Sequence, residues 1–165
     1  MPAGNRGNGR MSLRDRLQAA LKDAMRAREA DRLSTLRLVN AAIKDREIAL
    51  RGTTTDPESA EMGEADILAI LGKLVRQRQE SARAYEEGGR LELAEKELAE
   101  IRVIEEFLPR QMDAAEVEAA VAAAIAETGA TGIRDMGRVM AVLKGRHTGQ
   151  MDFGAVGPMV KARLA

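Results

Sequence analysis

Residues 64–109 read EADILAILGKLVRQRQESARAYEEGGRLELAEKELAEIRVIEEFLP. Ile67, Leu71, Leu74, Val75, Ala82 and Tyr85 recur at steps of three, four and seven, the spacing of one helix face. Gly88 and Gly89 interrupt the pattern and permit a tight reversal with positive φ. Leu91, Ala94, Leu98, Ile101 and Leu108 then mark one side of a further helix, which Pro109 ends because proline lacks the donor a helix interior needs. Two long helices joined by a Gly-Gly turn fold back as an antiparallel hairpin. The chain is therefore predicted to be all-α.

The same periodicity extends outward in both directions. Ser12 caps a first helix with Leu13, Leu17, Ala20, Leu21, Ala24 and Met25 on one side, ending near Arg28. Asp31 is the expected cap of a second helix, with Leu33, Leu36, Val39, Ile43 and Leu50 inward and Gly52 as its stop. The run GTTTDPESAEMG, residues 52–63, reads as a loop. Past Pro109, Asp113 caps a helix over residues 114–128 with Val117, Val121, Ala124 and Ile125 inward. A sixth helix begins at Asp135 with Met136, Val139, Met140 and Leu143. A Gly-flanked loop follows over residues 145–149. Asp152 caps a seventh helix carrying Phe153, Val156, Val160 and Leu164, and Gly157-Pro158 inside it predicts a kink or a separate cap. Residues 1–10, MPAGNRGNGR, have no periodicity and read as a disordered tail, with Met11 an alternative start to Met1. The organisation expected is a four-helix N-terminal domain over residues 11–109 and a three-helix bundle over residues 113–165.

Composition agrees with helices. The apolar residues are mostly Leu, Ala, Ile, Val and Met, with two Phe, one Tyr and no Trp, whereas strands favour aromatic and β-branched residues. No Cys is present, so disulfides, thiol catalysis and a Cys-type zinc site are excluded. No apolar run approaches the ~18 residues of a membrane span, and the first ten residues lack the apolar core of a secretory signal. A cytosolic address and no membrane partner are the expectation.

Formal net charge is zero, yet unevenly laid out: residues 1–52 carry twelve Lys/Arg against six Asp/Glu, residues 53–130 eight against eighteen, and residues 131–165 six against two. Two readings stand on charge alone, a solvated mixed surface or basic ends that meet an anionic partner.

Catalytic motifs do not form. The single His, His147, follows Lys144 and Arg146 in a loop, and no G-x-S-x-G elbow is present. A Glu-rich helical protein invites a di-iron site, but no Glu is followed by His at the Glu-x-x-His spacing. The run from Gly145 to Gly149 lacks the Lys-Ser/Thr end of a phosphate loop. No catalytic residue, metal or cofactor is assigned.

Binding remains. Arg134, Arg138, Lys144, Arg146, Lys161 and Arg163 meet few acids in the last 35 residues, and such side chains neutralise phosphates. Structured RNA is met through phosphates and 2′-hydroxyls rather than aromatic stacking, which suits a surface poor in aromatics. Arg76, Arg78 and Arg83 on the third helix, with Tyr85 and Arg90 at the turn, are secondary candidates. Tyr85 can bury its ring and offer its hydroxyl; Arg90 can pair with Glu86, Glu87 or a ligand. At the turn, the packing reading outweighs the binding reading.

The stretch Arg78-Gln79-Glu80-Ser81-Ala82-Arg83-Ala84-Tyr85-Glu86-Glu87-Gly88-Gly89-Arg90 resembles a pattern of the YqeY family. The likeness continues through Leu93-Ala94-Glu95-Lys96-Glu97, Glu100-Ile101 and Phe107-Leu108-Pro109-Arg110-Gln111-Met112. It extends to Asp135-Met136-Gly137-Arg138-Val139-Met140, Leu143-Lys144, Asp152 and Val160-Lys161. It implies a helical N-terminal domain and a three-helix C-terminal domain. It also implies a kinship with the tail of the B subunit of the tRNA-dependent amidotransferase, where that tail helps hold tRNA and a separate cradle does the chemistry. On the resemblance, the partners expected are tRNA and an amidotransferase or other translation-related protein. The family's label as a carbon–nitrogen ligase with glutamine as amido-N-donor would then need partners, because this chain supplies no ATP site, ammonia channel or glutaminase nucleophile. A helical protein–protein adaptor that never touches RNA is the further alternative.

Overall fold

A computed structural model describes residues 11–53 and 62–165. The predicted tail over residues 1–10 and most of the predicted loop over residues 52–63 lie outside the described residues. Seven α-helices and no strand form among the described residues: α1 (Leu13–Ala27), α2 (Ala30–Arg51), α3 (Glu64–Glu87), α4 (Leu91–Glu105), α5 (Ala114–Thr128), α6 (Met136–Arg146) and α7 (Phe153–Leu164). A 3-10 turn, Ile133–Asp135, leads into α6. The chain divides into two compact units between Phe107 and Leu108.

In the first unit α3 and α4 form the hairpin read from residues 64–109. The turn is a complete Schellman motif: Arg90 N donates to Tyr85 O at 2.7 Å and Gly89 N to Glu86 O at 3.1 Å, with Gly89 at φ 73°. The α1–α2 turn repeats it with Arg28, a residue bearing a Cβ, at φ 55°. Its bonds run from Glu29 N to Ala24 O and from Arg28 N to Met25 O. The core gathers Leu13, Leu17, Leu36, Val39, Ile43, Ile67, Leu71, Val75, Ala94, Ile101 and Ile104.

Several sequence expectations need correction. Asp31 does not cap α2; Glu29 holds that position without a side-chain bond, and Asp31 sits in the first turn, where a carboxylate still suits the helix dipole. The buried Thr35 was not expected in the core. Its Oγ1 donates to Asp31 O at 3.2 Å, so the helix itself satisfies the hydroxyl. Leu91 and Leu98, expected inward, are 63% and 36% exposed, and the α4 seam runs through Ala94, Ile101 and Ile104 instead. Helix α4 stops at Glu105, before Pro109, because the residue ahead of a proline is driven from the α region and the proline ring crowds the carbonyl four residues back.

Arg78 is held between α3 and α4. Its Nε donates to Glu100 Oε2 at 2.9 Å and its Nη1 to Leu74 O at 3.1 Å, with side chains only 13% and 20% exposed. Removing one partner leaves a largely desolvated charge. Glu100→Ala is expected to cost about 1–3 kcal/mol, and Arg78→Leu with Glu100→Leu together less than the sum of the single changes. A double-mutant cycle by chemical denaturation checks this.

The second unit, Leu108–Ala165, holds α5, α6 and α7. Val121, Ala124, Val139, Leu143, Val156, Val160 and Leu164 form its core, with Met151 beneath. Asp113 Oδ1 accepts from Glu116 N at 2.8 Å while Glu116 Oε1 accepts from Asp113 N at 3.3 Å, a capping box that strengthens the expected cap. Helix α6 continues through Gly145 to Arg146, beyond the loop expected from residue 145. Helix α7 is continuous across Pro158, which is exposed, so the Gly154 carbonyl it leaves unbonded is at the surface.

The segment entering this unit is fastened to it. Gln111 Nε2 donates to Gly149 O at 2.6 Å, Met112 N to Gln150 O at 2.9 Å, and Gln150 Nε2 to Arg110 O at 3.3 Å. Arg110 makes a two-pronged contact with Glu116, at 3.0 and 2.6 Å. That guanidinium, helped by the Asp113 backbone, pulls the Glu116 carboxyl down to about 2. A carboxyl depressed in the folded state contributes stability above its unfolded value, near 4.5, that is lost as pH falls toward 2. The Glu116 carboxyl resonance is expected to titrate near the lower value, and in Arg110→Ala to move up toward the ordinary carboxylate range. An unchanged midpoint in the variant would break the assignment.

Candidate nucleic-acid interface

The last two helices place the six basic candidates by simple geometry. Residues two apart on a helix lie about 200° apart around its axis, so Lys144 and Arg146 leave α6 on opposite sides, as do Lys161 and Arg163 on α7. The six therefore do not make one patch.

Arg138 and Arg146 both reach back to the end of α5. Arg138 donates to Asp135 Oδ1 at 2.6 Å and to Thr128 O at 3.3 Å, and Arg146 pairs with Glu127. The acids respond. Hydrogen bonding from the Thr131 backbone and then from Arg138 lowers the Asp135 pKa, and Arg146 lowers that of Glu127 while its own rises. All four side chains of these pairs keep some contact with solvent, and exposed pairs of this kind are weak and exchangeable. A phosphate could replace either acid. Arg134, Lys144, Lys161 and Arg163 are exposed and enter no ion pair with a described residue. Gly137, Ala141 and Gly145 are exposed on α6 beside Arg138, so the helix backbone there is thinly covered.

The secondary candidates separate. Arg76 and Arg83, seven residues apart, share one line along α3, and the Arg76 guanidinium lies over Gly72. Arg78 projects from the other side into its contact with Glu100 and is a packing residue. Tyr85 is half-buried, and its carbonyl closes the Schellman turn; Arg90 is exposed at the start of α4. His147 is half-buried, with Nδ1 3.4 Å from Gln150 Oε1. Among the described residues no group of three or more His, Asp or Glu is placed to hold a metal ion, and no helix is long and apolar enough to cross a membrane. Sequence reasoning missed Glu127 and Asp135 as partners of the candidate arginines. The three-residue spacing from Asp135 to Arg138 was the available signal; nothing local announced Glu127, which arrives from another helix.

The family model described as Yqey-like protein matches residues 14–164, from the first turn of α1 to the last of α7. The chain belongs to the YqeY-like family. An uncharacterized protein of Schizosaccharomyces pombe is 30% identical to it over 93 residues, which is 56% of this chain and 69% of that protein. Two yeast proteins called "altered inheritance of mitochondria protein 41, mitochondrial" are also similar. The one from Vanderwaltozyma polyspora is 33% identical over 92 residues and the one from Kluyveromyces lactis 32% over 91. The matches take in 56% and 55% of this YqeY-like chain but only 46% and 45% of those proteins, so under half of their length is compared.

Proposed function

We propose that this YqeY-like chain is a non-catalytic binding module for structured RNA of the tRNA class, related to the tail of the amidotransferase B subunit, with its C-terminal unit on phosphate. The observation that carries the reading is the set Arg134, Lys144, Lys161 and Arg163, exposed and without ion-pair partners among the described residues, on helices whose one aromatic, Phe153, packs against the core. Each cation that neutralises a phosphate releases a counterion, so affinity should fall steeply with salt. Changing these four residues together to Gln is expected to lower the log–log salt slope for a tRNA transcript by about 3. A wild-type slope in that variant would remove the reading from this unit. Any part in amidotransfer belongs to a complex with partner subunits.

A second reading, the helical adaptor, has one observation in its favour. Leu91 and Leu98 stand two turns apart on the same side of α4, 63% and 36% exposed. Leu91→Ser with Leu98→Ser would abolish partner capture while leaving RNA binding unchanged.

A further inference from the structure

The first unit is electrically divided. The described residues of α1, α2 and their flanks, 11–53, hold ten Lys/Arg against six Asp/Glu, a net of +4, while residues 62–107 hold seven against eleven, a net of −4. The whole second unit, by comparison, holds seven against six. The α1–α2 hairpin therefore carries as large a positive balance as residues 131–165, which hold six against two.

Its charges are ordered. Arg37, Lys44 and Arg51 recur at intervals of seven along α2, two helical turns, so they form one line at a spacing of about 10 Å. All three are exposed, and none pairs with an acid among the described residues. The hairpin register adds a fourth. Gln18 Nε2 donates to Asn40 Oδ1 at 3.2 Å and Arg14 pairs with Glu47, which fixes α1 antiparallel to α2. Lys22, one turn beyond Gln18, then lies level with Arg37, and it too is exposed and unpaired among the described residues.

No acid of α2 falls on this line, although the exposed Asp15 of α1 stands two turns before Lys22. Glu47 is the nearest on α2 and is already taken by Arg14; Asp45 lies about 100° further round the helix than Lys44. Arg32, the residue of α2 that reaches the acidic end of α4 through Glu106, is about 140° round from Arg37. The line thus faces away from the acids that α2 does meet. An anionic ligand would be drawn to α1–α2 and repelled by α4, which carries Glu92, Glu95, Glu97, Glu100 and Glu105.

We propose that Lys22, Arg37, Lys44 and Arg51 form a second phosphate-contacting surface for double-helical RNA, an inference that rests on the RNA-binding reading above. Regularly spaced point charges on a stiff helix, with no aromatic among them, suit a duplex backbone rather than a single strand or stacked bases. The α3–α4 charge fixes which side of the unit meets the RNA.

The test is titration of the full chain with a tRNA transcript and with a short RNA duplex across a salt series. Lys22, Arg37, Lys44 and Arg51 are changed together to Gln in one variant, and Arg134, Lys144, Lys161 and Arg163 in another. The α1–α2 variant is expected to bind about ten- to a hundredfold more weakly at 0.1 M salt, with a slope reduced by about 3. Exchanging each Lys for Arg and each Arg for Lys at the same positions should restore binding, which separates charge from helix stability. Wild-type affinity and slope in the α1–α2 variant would overturn this surface while leaving the C-terminal reading standing if the other variant is impaired. No binding by the wild-type chain would overturn both.

Discussion

Leu143→Ala is expected to remove most of the stability of the second unit. Leu143 is 1% exposed near the end of α6, among Val121, Val139 and Val160, which are fully buried. Truncation removes buried methyl groups and leaves a cavity, at a cost of about 2–5 kcal/mol. A bundle of three short helices has little to lose: domains of this size bury only about 60% of their unfolded surface and hold a net stability of about 5 kcal/mol. The expected result is loss of dispersed methyl resonances from residues of α5 to α7 on mild heating, well below the wild-type transition, with signals from α1 to α4 retained. Leu143→Met, which keeps the volume, should cost less than about 1.5 kcal/mol and keep the bundle folded. A folded Leu143→Ala bundle of near-normal melting temperature would show that the core is not arranged as described.

Leu71→Ala carries the second large effect. Leu71 is wholly buried in α3 together with Ile104 of α4, on the elements that share the most extensive contact in the chain. The cost is again about 2–5 kcal/mol, but the four-helix unit is larger and survives at low temperature. For a unit of this size each kcal/mol is worth roughly 4–8 °C, so its melting temperature should fall by about 10–40 °C. Truncating the exposed Leu91 or Leu98 should shift it by no more than about 4 °C, since surface changes stay within about 0.5 kcal/mol. That contrast separates the observed α4 seam from the one expected from periodicity.

The fold was largely legible because its information is periodic and local. The run from Ile67 to Ile101 specifies both helices, and Gly88-Gly89 specifies the reversal, since the αL position at Gly89 is one that glycine occupies at no steric cost. The caps at Ser12, Asp113 and Asp152 were readable for the same reason: each side chain bonds an amide two or three residues on. Failures occurred where a partner comes from a distant element. Leu91 and Leu98 satisfy a helical stripe, but the stripe is wider than the face that α3 covers. Arg78 looked like an available cation until Glu100 arrived from the next helix. The persistence of α6 through Gly145 depends on packing against neighbours, which overrides local propensity.

The candidate interface was legible only as composition. Six basic residues near the end of the chain are visible in a string of letters, but their division around α6 and α7, and the engagement of Arg138 and Arg146 by Asp135 and Glu127, follow from three-dimensional placement. The +6 balance of the first 52 residues was equally visible. What the string did not display is that Arg37, Lys44 and Arg51 fall on one line and that Lys22 joins them through the hairpin register.

The most direct measurement is equilibrium binding of the full wild-type chain to a tRNA transcript between 50 and 200 mM salt, a range over which several phosphate contacts change affinity by orders of magnitude. The result expected is a log–log plot that falls linearly with a slope steeper than about −3, the signature of several phosphates neutralised at once. A flat plot, or no binding at the lowest salt, would contradict an RNA-binding role and direct attention to the exposed leucines of α4.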